Sequence, residues 1–477
     1  MEELLLLVFL IPIIGSFLLP LVAKFSETLR NVLSLVFVLS AFACSAALVP
    51  SAMAGNPASV HFWLPMGFSF GFSADGLAVF MALIASFVGA IIVIYSFTYI
   101  EHSDHKNVYY LMVTLFIGAM MGLVYSTNLI FIYIFWEISA ISCWQLIGYY
   151  REPEHVLRAD KAFLMTVFGA LVMLAGFVLV YQQTGTFDIT EMQGAELGNA
   201  AVLLILVGLL SKSATLPLHT WLPDAGVAPS PVTSLLHAAV LVKIGVYAFA
   251  RFFIFSFNVD PMWHKVVPIV AACSAIVSAG AAMVEYDIKR IIAYSTISQI
   301  AFIFLGLSIN NKIGVAGGLL YIMMHSLAKG GLFLCAGVVE HSTHTKDIRQ
   351  LGGLIRTMPV TAVAFLICAF SIMGLPPLGG FFSKYMVVSG AVFADSPWIA
   401  TVFIFGTLMT IIYLMRVFNA VFLGTSPAKI VDIHEGSRSM VASALSLAVF
   451  SLIGGLLIYY PSEFVQTVIA QIGGLLS

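Results

Sequence analysis

Residues 205–253 read ILVGLLSKSATLPLHTWLPDAGVAPSPVTSLLHAAVLVKIGVYAFARFF, and this stretch decides the fold. Two apolar segments each carry a lysine, Lys212 and Lys243, and the turn between them holds Pro217, Pro223, Pro229 and Pro231. An ammonium at the centre of a membrane helix costs about 2.5–3.5 kcal/mol on insertion scales. Proline removes a backbone donor that hydrocarbon cannot replace, so a broken helix persists only inside protein or against water. The pattern predicts a site that handles charge inside a bilayer.

The rest of the chain supplies the bilayer setting. Of its 477 residues 61% are hydrophobic and 9% charged, where a soluble protein carries about 25% charged residues. Runs long enough to span, about 20 residues each, fall at 3–23, 31–51, 75–98, 108–127, 128–150, 162–182, 198–217, 232–254, 265–284, 290–308, 315–338, 360–385, 398–423 and 440–460. The prediction is therefore an all-α polytopic membrane protein of about 14 transmembrane helices. With the N-terminus outside, most basic loop residues, among them Lys24, Arg30, Arg151, Arg158, Lys289, Arg290, Arg416, Lys429 and Arg438, fall inside, against Arg251, Lys265 and Lys312 outside. Both termini are thus predicted outside. The start, MEEL, has acidic flanks and no small-residue cleavage site, which reads as a retained helix. The segment 55–74, rich in glycine and aromatic residues, reads as a short outward hairpin.

Cys44, Cys143, Cys273, Cys335 and Cys368 all lie in spans without a CxxC pair and read as packing residues. A net charge of −2 with no basic tail gives no sign of nucleic acid. No iron–sulfur, haem or nucleotide motif is present, so no cofactor or metal is expected in this chain.

Further ionisable groups sit in the spans. Glu137, in FWEISAISCW, is a mid-span carboxylate that must be protonated, paired or hydrated; a structural ion pair and a proton site both satisfy that need. His237 precedes Lys243 by six residues, and core packing and relay are equally open for it. His325 and Lys329 stand at i and i+4, on one helix face, and two stacked cations would repel, which favours a relay. In the twelfth span GLPPLGGFFSKY places Pro376 and Pro377 before Lys384, an echo of Lys212 and Pro217 five spans earlier. Five is odd, so a repeat of that length would be inverted, as in many transporters.

These segments, with SKSATLPLHTWLPDAGVAPSPVTSLLHAAVLVKIGVY, DIKRIIAYSTISQIAF and HSLAKGGLFLCAGVVEHSTHTKDIRQLGGL, resemble the antiporter-like membrane subunits shared by respiratory complex I, Mrp-type cation/proton antiporters and energy-converting hydrogenases. The resemblance covers about residues 75–425. It implies two inverted five-helix repeats with broken helices 7 and 12, organised as 1–107 framework, 108–254 first repeat, 265–423 second repeat, and 424–477 last helix and tail. It further implies a hydrated axis in which Glu137 and Lys212 are the coupled pair, Lys243 the connecting lysine, His325 and Lys329 the centre and Lys384 the terminal lysine. His219 and His237 stand as secondary relays.

By the same resemblance the chain is expected in the inner (cytoplasmic) membrane, among other membrane subunits, moving protons, with Na⁺ handled here or in a neighbour. Iron–sulfur or nickel–iron centres would belong to partner subunits. The chain ends soon after the fourteenth span, without the lateral arm of the longest members, which disfavours a distal complex I subunit. The expected function is a proton-translocating subunit of a redox complex, the alternatives being an Mrp-type Na⁺/H⁺ antiporter or an inorganic-carbon uptake complex.

Overall fold

A computed structural model describes residues 1–63, 69–425 and 434–471. The tip of the expected hairpin and Lys429 lie outside the described residues. Among the described residues twelve helices are long and apolar enough to cross a membrane. They include α1 (Glu2–Val22), α2 (Glu27–Met53), α3 (Gly76–Tyr99), α4 (Lys106–Tyr125), α5 (Leu129–Ile147) and α6 (Pro153–Thr184). Strands β1 (Ser59–Trp63) and β2 (Ser69–Ser73) pair antiparallel between α2 and α3, Ser59 opposite Ser73.

The seventh pass is broken: α7 (Asn199–Lys212) stops at its lysine, and the single turn α8 (Trp221–Asp224) follows, running on into a 3₁₀ turn at Ala225–Val227. The eighth is interrupted as well. Helix α9 (Ser230–Ser234) runs through a π turn, Leu235–Ala239, into α10 (Leu241–Phe253). Sequence alone predicts one regular helix over 232–254; the π turn around His237 corrects it, and such turns recur at functional sites.

Next come α11 (Trp263–Val284), α12 (Ile288–Ser308) and the continuous 32-residue α13 (Lys312–Thr343). Its glycines do not unwind it. They admit neighbours instead: a Cβ at Gly317 would lie 2.7 Å from the Val387 backbone nitrogen, and one at Gly331 would overlap the Cys368 sulfur.

The twelfth pass breaks between α14 (Pro359–Met373) and α15 (Gly379–Phe393). Its second half runs eight residues beyond the expected end at 385, which sets Lys384 inside α15 rather than at the end of the pass. Helices α16 (Pro397–Phe418) and α17 (Arg438–Leu456) follow. The expected tail contains a further helix, α18 (Tyr459–Ala470), with Val465 and Val468 buried; Gln471 beyond it donates 2.6 Å to the Ala52 carbonyl. With the seventh and twelfth passes added to those twelve, the described residues make fourteen crossings.

Burial sorts these helices. The central windows of α12 and α13 are 94% buried and that of Ser230–Phe253 is 100%, whereas those of α1, α6 and α17 are 39% buried. The inner helices are therefore solvated by protein and the outer ones by lipid, which is what allows ammonium groups in the inner set.

The two halves repeat. Helices α6 and α13 are each 32 residues long, and their ends shift from 153 to 312 and from 184 to 343, by 159 residues both times. The same interval relates the loops after them, Thr184-Gly185-Thr186-Phe187-Asp188-Ile189 and Thr343-His344-Thr345-Lys346-Asp347-Ile348. Ile189 N donates to Thr127 O and Leu129 N to Phe187 O in the first; Ile348 N donates to Tyr286 O and Ile288 N to Lys346 O in the second. Gly185 and His344 both take a left-handed φ, +78° and +54°. Asn128 caps α5 and Asp287 caps α12 through backbone N–H groups. Because five passes separate the copies, they run in opposite directions across the membrane.

Candidate functional site

The second helix break places a lysine where carbonyls are free. The last four carbonyls of a helix have no partner within it, and its C-terminus carries partial negative charge. Lys384 reaches back across the break and donates 2.7 Å to the Ile372 carbonyl near the end of α14, with its ammonium 4.4 Å from the Phe302 ring centroid. Lys212, the last residue of α7, donates 3.1 Å to the Trp136 carbonyl and lies 5.3 Å from the indole centroid. It does not pair directly with Glu137, whose Oε1 has no hydrogen-bond partner among the described residues. The ion-pair pin that the sequence leaves open is not what holds α5 to α7.

At the centre, the Lys243 ammonium nitrogen lies 2.7 Å from His325 Nδ1. Two full charges at that distance would repel by about 6 kcal/mol at an effective dielectric constant near 20. One of the two nitrogens must therefore donate and the other accept, so the pair holds at most one excess proton. Lys329, one turn on from His325, turns to another partner, donating 2.6 Å to Ser295 Oγ and 3.2 Å to the Ile292 carbonyl.

From Ser295 a set of side chains continues that the sequence does not single out. Ser295 Oγ is 2.7 Å from Tyr413 OH, which donates 3.3 Å to Thr410 Oγ1. Gln299 Nε2 also donates to Thr410 Oγ1, at 3.2 Å, and Tyr321 OH donates 2.6 Å to Gln299 Oε1. The Tyr321 ring then lies 5.7 Å from the Lys384 ammonium. All of these groups are buried. They form a near-continuous hydrogen-bonded bridge from the central lysine to the terminal one.

Other buried polar atoms lack protein partners among the described residues: Ser213 Oγ, Thr215 Oγ1, both nitrogens of His237, His325 Nε2, Ser298 Oγ and Ser371 Oγ. Buried polar groups are satisfied almost without exception, and sites with several such atoms hold water. The His237 ring lies tilted against Phe333, centroids 4.4 Å apart, within the electrostatic reach of Lys243 and Lys329, which places it beside the axis. His219 is not so placed: it is half-buried in the break, and its ring Nδ1 is 3.3 Å from the Pro217 carbonyl. Pro217 lies in the first break and Pro376 and Pro377 in the second. Among the described residues no cluster of three or more metal-ligating side chains occurs.

Removing the Tyr413 hydroxyl takes one link out of the bridge and leaves its packing. Tyr413→Phe is expected to slow proton movement several-fold, with the melting temperature in detergent nearly unchanged; equal rates would remove the bridge from the path.

Known proteins share this fold. The family described as NADH:quinone oxidoreductase/Mrp antiporter, transmembrane region, matches residues 126–410, and the N-terminal family of complex I chain 5 matches residues 63–110. An Na⁺/H⁺ antiporter protein of Alkalihalophilus pseudofirmus, one component of that antiporter, is 33% identical over 450 residues, 85% of this chain and 54% of the relative. The corresponding Na⁺/H⁺ antiporter component of Staphylococcus aureus is 32% identical, over 94% of this chain and 60% of the relative. The chain thus spans little more than half the length of these relatives.

Among solved structures, a chain of the Mrp complex from Dietzia superposes with a TM-score of 0.89 at 23% identity, covering 99% of this chain and 98% of that one. A chain of the archaeal membrane-bound sulfane sulfur reductase gives 0.89 at 22% identity, covering 100% and 98%. Fold and buried cationic axis together define a multi-pass antiporter-like membrane protein. The chain belongs to the NADH:quinone oxidoreductase/Mrp antiporter family of transmembrane subunits.

Proposed function

We propose that this chain is the proton-conducting subunit of an Mrp-type Na⁺/H⁺ antiporter, working with other membrane subunits in the inner (cytoplasmic) membrane. Sequence alone ranks a redox complex first. The two curated relatives compared above are Na⁺/H⁺ antiporter subunits, which favours the antiporter. The observation that carries proton conduction is the 2.7 Å contact between Lys243 and His325, a direct pairing of two protonatable groups that can hold at most one excess proton between them.

In this proposal the first unit comprises residues 108–254 and the second 265–423, with 1–107 and 424–477 flanking them. Glu137 acts on Lys212 through space, and its half-buried position on α5 leaves it open to an adjoining subunit. A cation presented there competes for the carboxylate's field, and the Lys212 proton passes through water past Ser213 to Lys243 and His325. Lys329 hands it to Ser295 and Tyr413, and water completes the path to Lys384; Thr410, Gln299 and Tyr321 orient that end, because Thr410 Oγ1 accepts from both Tyr413 and the Gln299 amide, whose nitrogen cannot take a proton. Each hop needs only neutral acceptors and short gaps, and the buried lysines avoid the full desolvation cost by holding fewer protons than sites. A hard cation prefers a cluster of oxygen ligands, carboxylates among them, and Glu137 is the single carboxylate placed on this axis, so Na⁺ is assigned to a neighbouring subunit.

Purifying the intact complex in mild detergent, with mass spectrometry and metal analysis, tests the assignment. Small membrane subunits without stoichiometric iron or nickel are expected. Nickel or iron–sulfur subunits would move the chain to a redox complex, and a soluble zinc-site protein to a carbon-uptake assembly.

A further inference from the structure

At the end of the bundle that carries the hairpin, a cavity of about 460 Å³ opens between β2, the loops after α4 and α6, and the end of α10. Ser126, Thr127, Thr190 and Ser256 bring hydroxyls to its wall, and Asp75 and Arg251 line it as well. Arg251 binds both carboxylate oxygens of Asp75, and its Nε donates 2.9 Å to Tyr247 OH. Tyr247 in turn donates 2.5 Å to the Val124 carbonyl.

Lys243, Tyr247 and Arg251 stand at i, i+4 and i+8 on α10, hence on one face, and about 12 Å of axial rise separates the first from the last. That distance is most of one leaflet of a hydrocarbon core about 30 Å thick. A polar row therefore leads from the central lysine to a cavity with room for on the order of ten waters. Nothing in the axis described above uses it.

We propose that this cavity is the mouth of a proton path between the hairpin face and Lys243, with the Asp75–Arg251 pair as its gate and Tyr247 as the hydroxyl between them. The proposal rests on the proton axis. While Asp75 is ionised it balances the guanidinium, and a hydrated proton meets no net positive charge at the mouth. Once the carboxylate is gone, Arg251 stands as a bare cation in a confined, low-dielectric passage and repels incoming protons.

The test is proton flux in proteoliposomes containing the intact complex. Asp75→Asn keeps a residue that caps α3 well and should slow flux at least fivefold. Adding Arg251→Gln in the same chain should restore at least half of it. Thr190→Cys, treated from the hairpin side with a membrane-impermeant methanethiosulfonate, should lose at least fivefold, with the treated parent and Phe62→Cys, exposed on the hairpin, as references. Unchanged flux in Asp75→Asn, or in fully labelled Thr190→Cys, would overturn the proposal. Lys243→Ala separates the two levels: if it transports normally the axis itself is wrong, whereas if it is inactive while the labelled cavity conducts, only the mouth is wrong.

Discussion

Lys329→Ala is expected to abolish proton transport, by about 100-fold or more, equivalent to roughly 2.7 kcal/mol on the rate-limiting hop. Lys329 is the side chain that feeds Ser295, at 2.6 Å, and through it the bridge to Lys384. Alanine leaves that bridge without its donor. The fold should survive, because the truncation removes a buried ammonium, and the Ile292 carbonyl that it also contacts lies within α12. Lys329→Arg sharpens the result. Arginine keeps the charge but does not release its proton in proteins, so it should be as inactive as alanine, with the complex assembled. A conducting arginine variant would show that Lys329 supplies a field and not a proton.

The second large effect is structural. Helices α7 and α10 approach so closely at Gly245 that a Cβ there would overlap Ser213 Oγ and lie 2.6 Å from the Leu209 carbonyl oxygen. The hydroxyl can rotate away, but the backbone carbonyl cannot. Gly245→Val must separate the helix carrying Lys212 from the helix carrying Lys243, at a cost of about 3 kcal/mol or more. Thermal unfolding in detergent should shift down sharply, with a poor yield of assembled complex. Gly280→Val is the control: the nearest atom to a Cβ there is Met409 Cε at 3.8 Å, and its melting temperature should stay close to that of the parent.

Charge in hydrocarbon is conspicuous, which is why Glu137, the four span lysines and both proline breaks stand out in the sequence. Their placement then follows from burial: Lys212, Lys243 and Lys329 are fully buried and Lys384 nearly so. The bridge of Ser295, Thr410, Tyr413, Gln299 and Tyr321 was not legible. Small hydroxyl and amide residues are common in membrane helices as packing and helix–helix glue, and these come from three helices that only the fold brings together.

The π turn at His237 was equally hidden, since no proline or glycine marks it. The loop repeat was different: Thr-x-Thr-x-Asp-Ile occurs twice, 159 residues apart, and a direct search at that interval finds it. His219 stands out because it sits in the conspicuous proline-rich turn, and the contact it makes there is with the Pro217 carbonyl.

The most direct test of the central claim, that protons cross this chain by way of Lys243 and His325, is Na⁺-driven proton movement in proteoliposomes carrying the purified intact complex. The parent and Lys243→Ala should be compared at equal protein content. The account predicts acidification or alkalinisation of the lumen on a Na⁺ jump in the parent and none above leak in the variant. Parent-like proton movement in Lys243→Ala would contradict it.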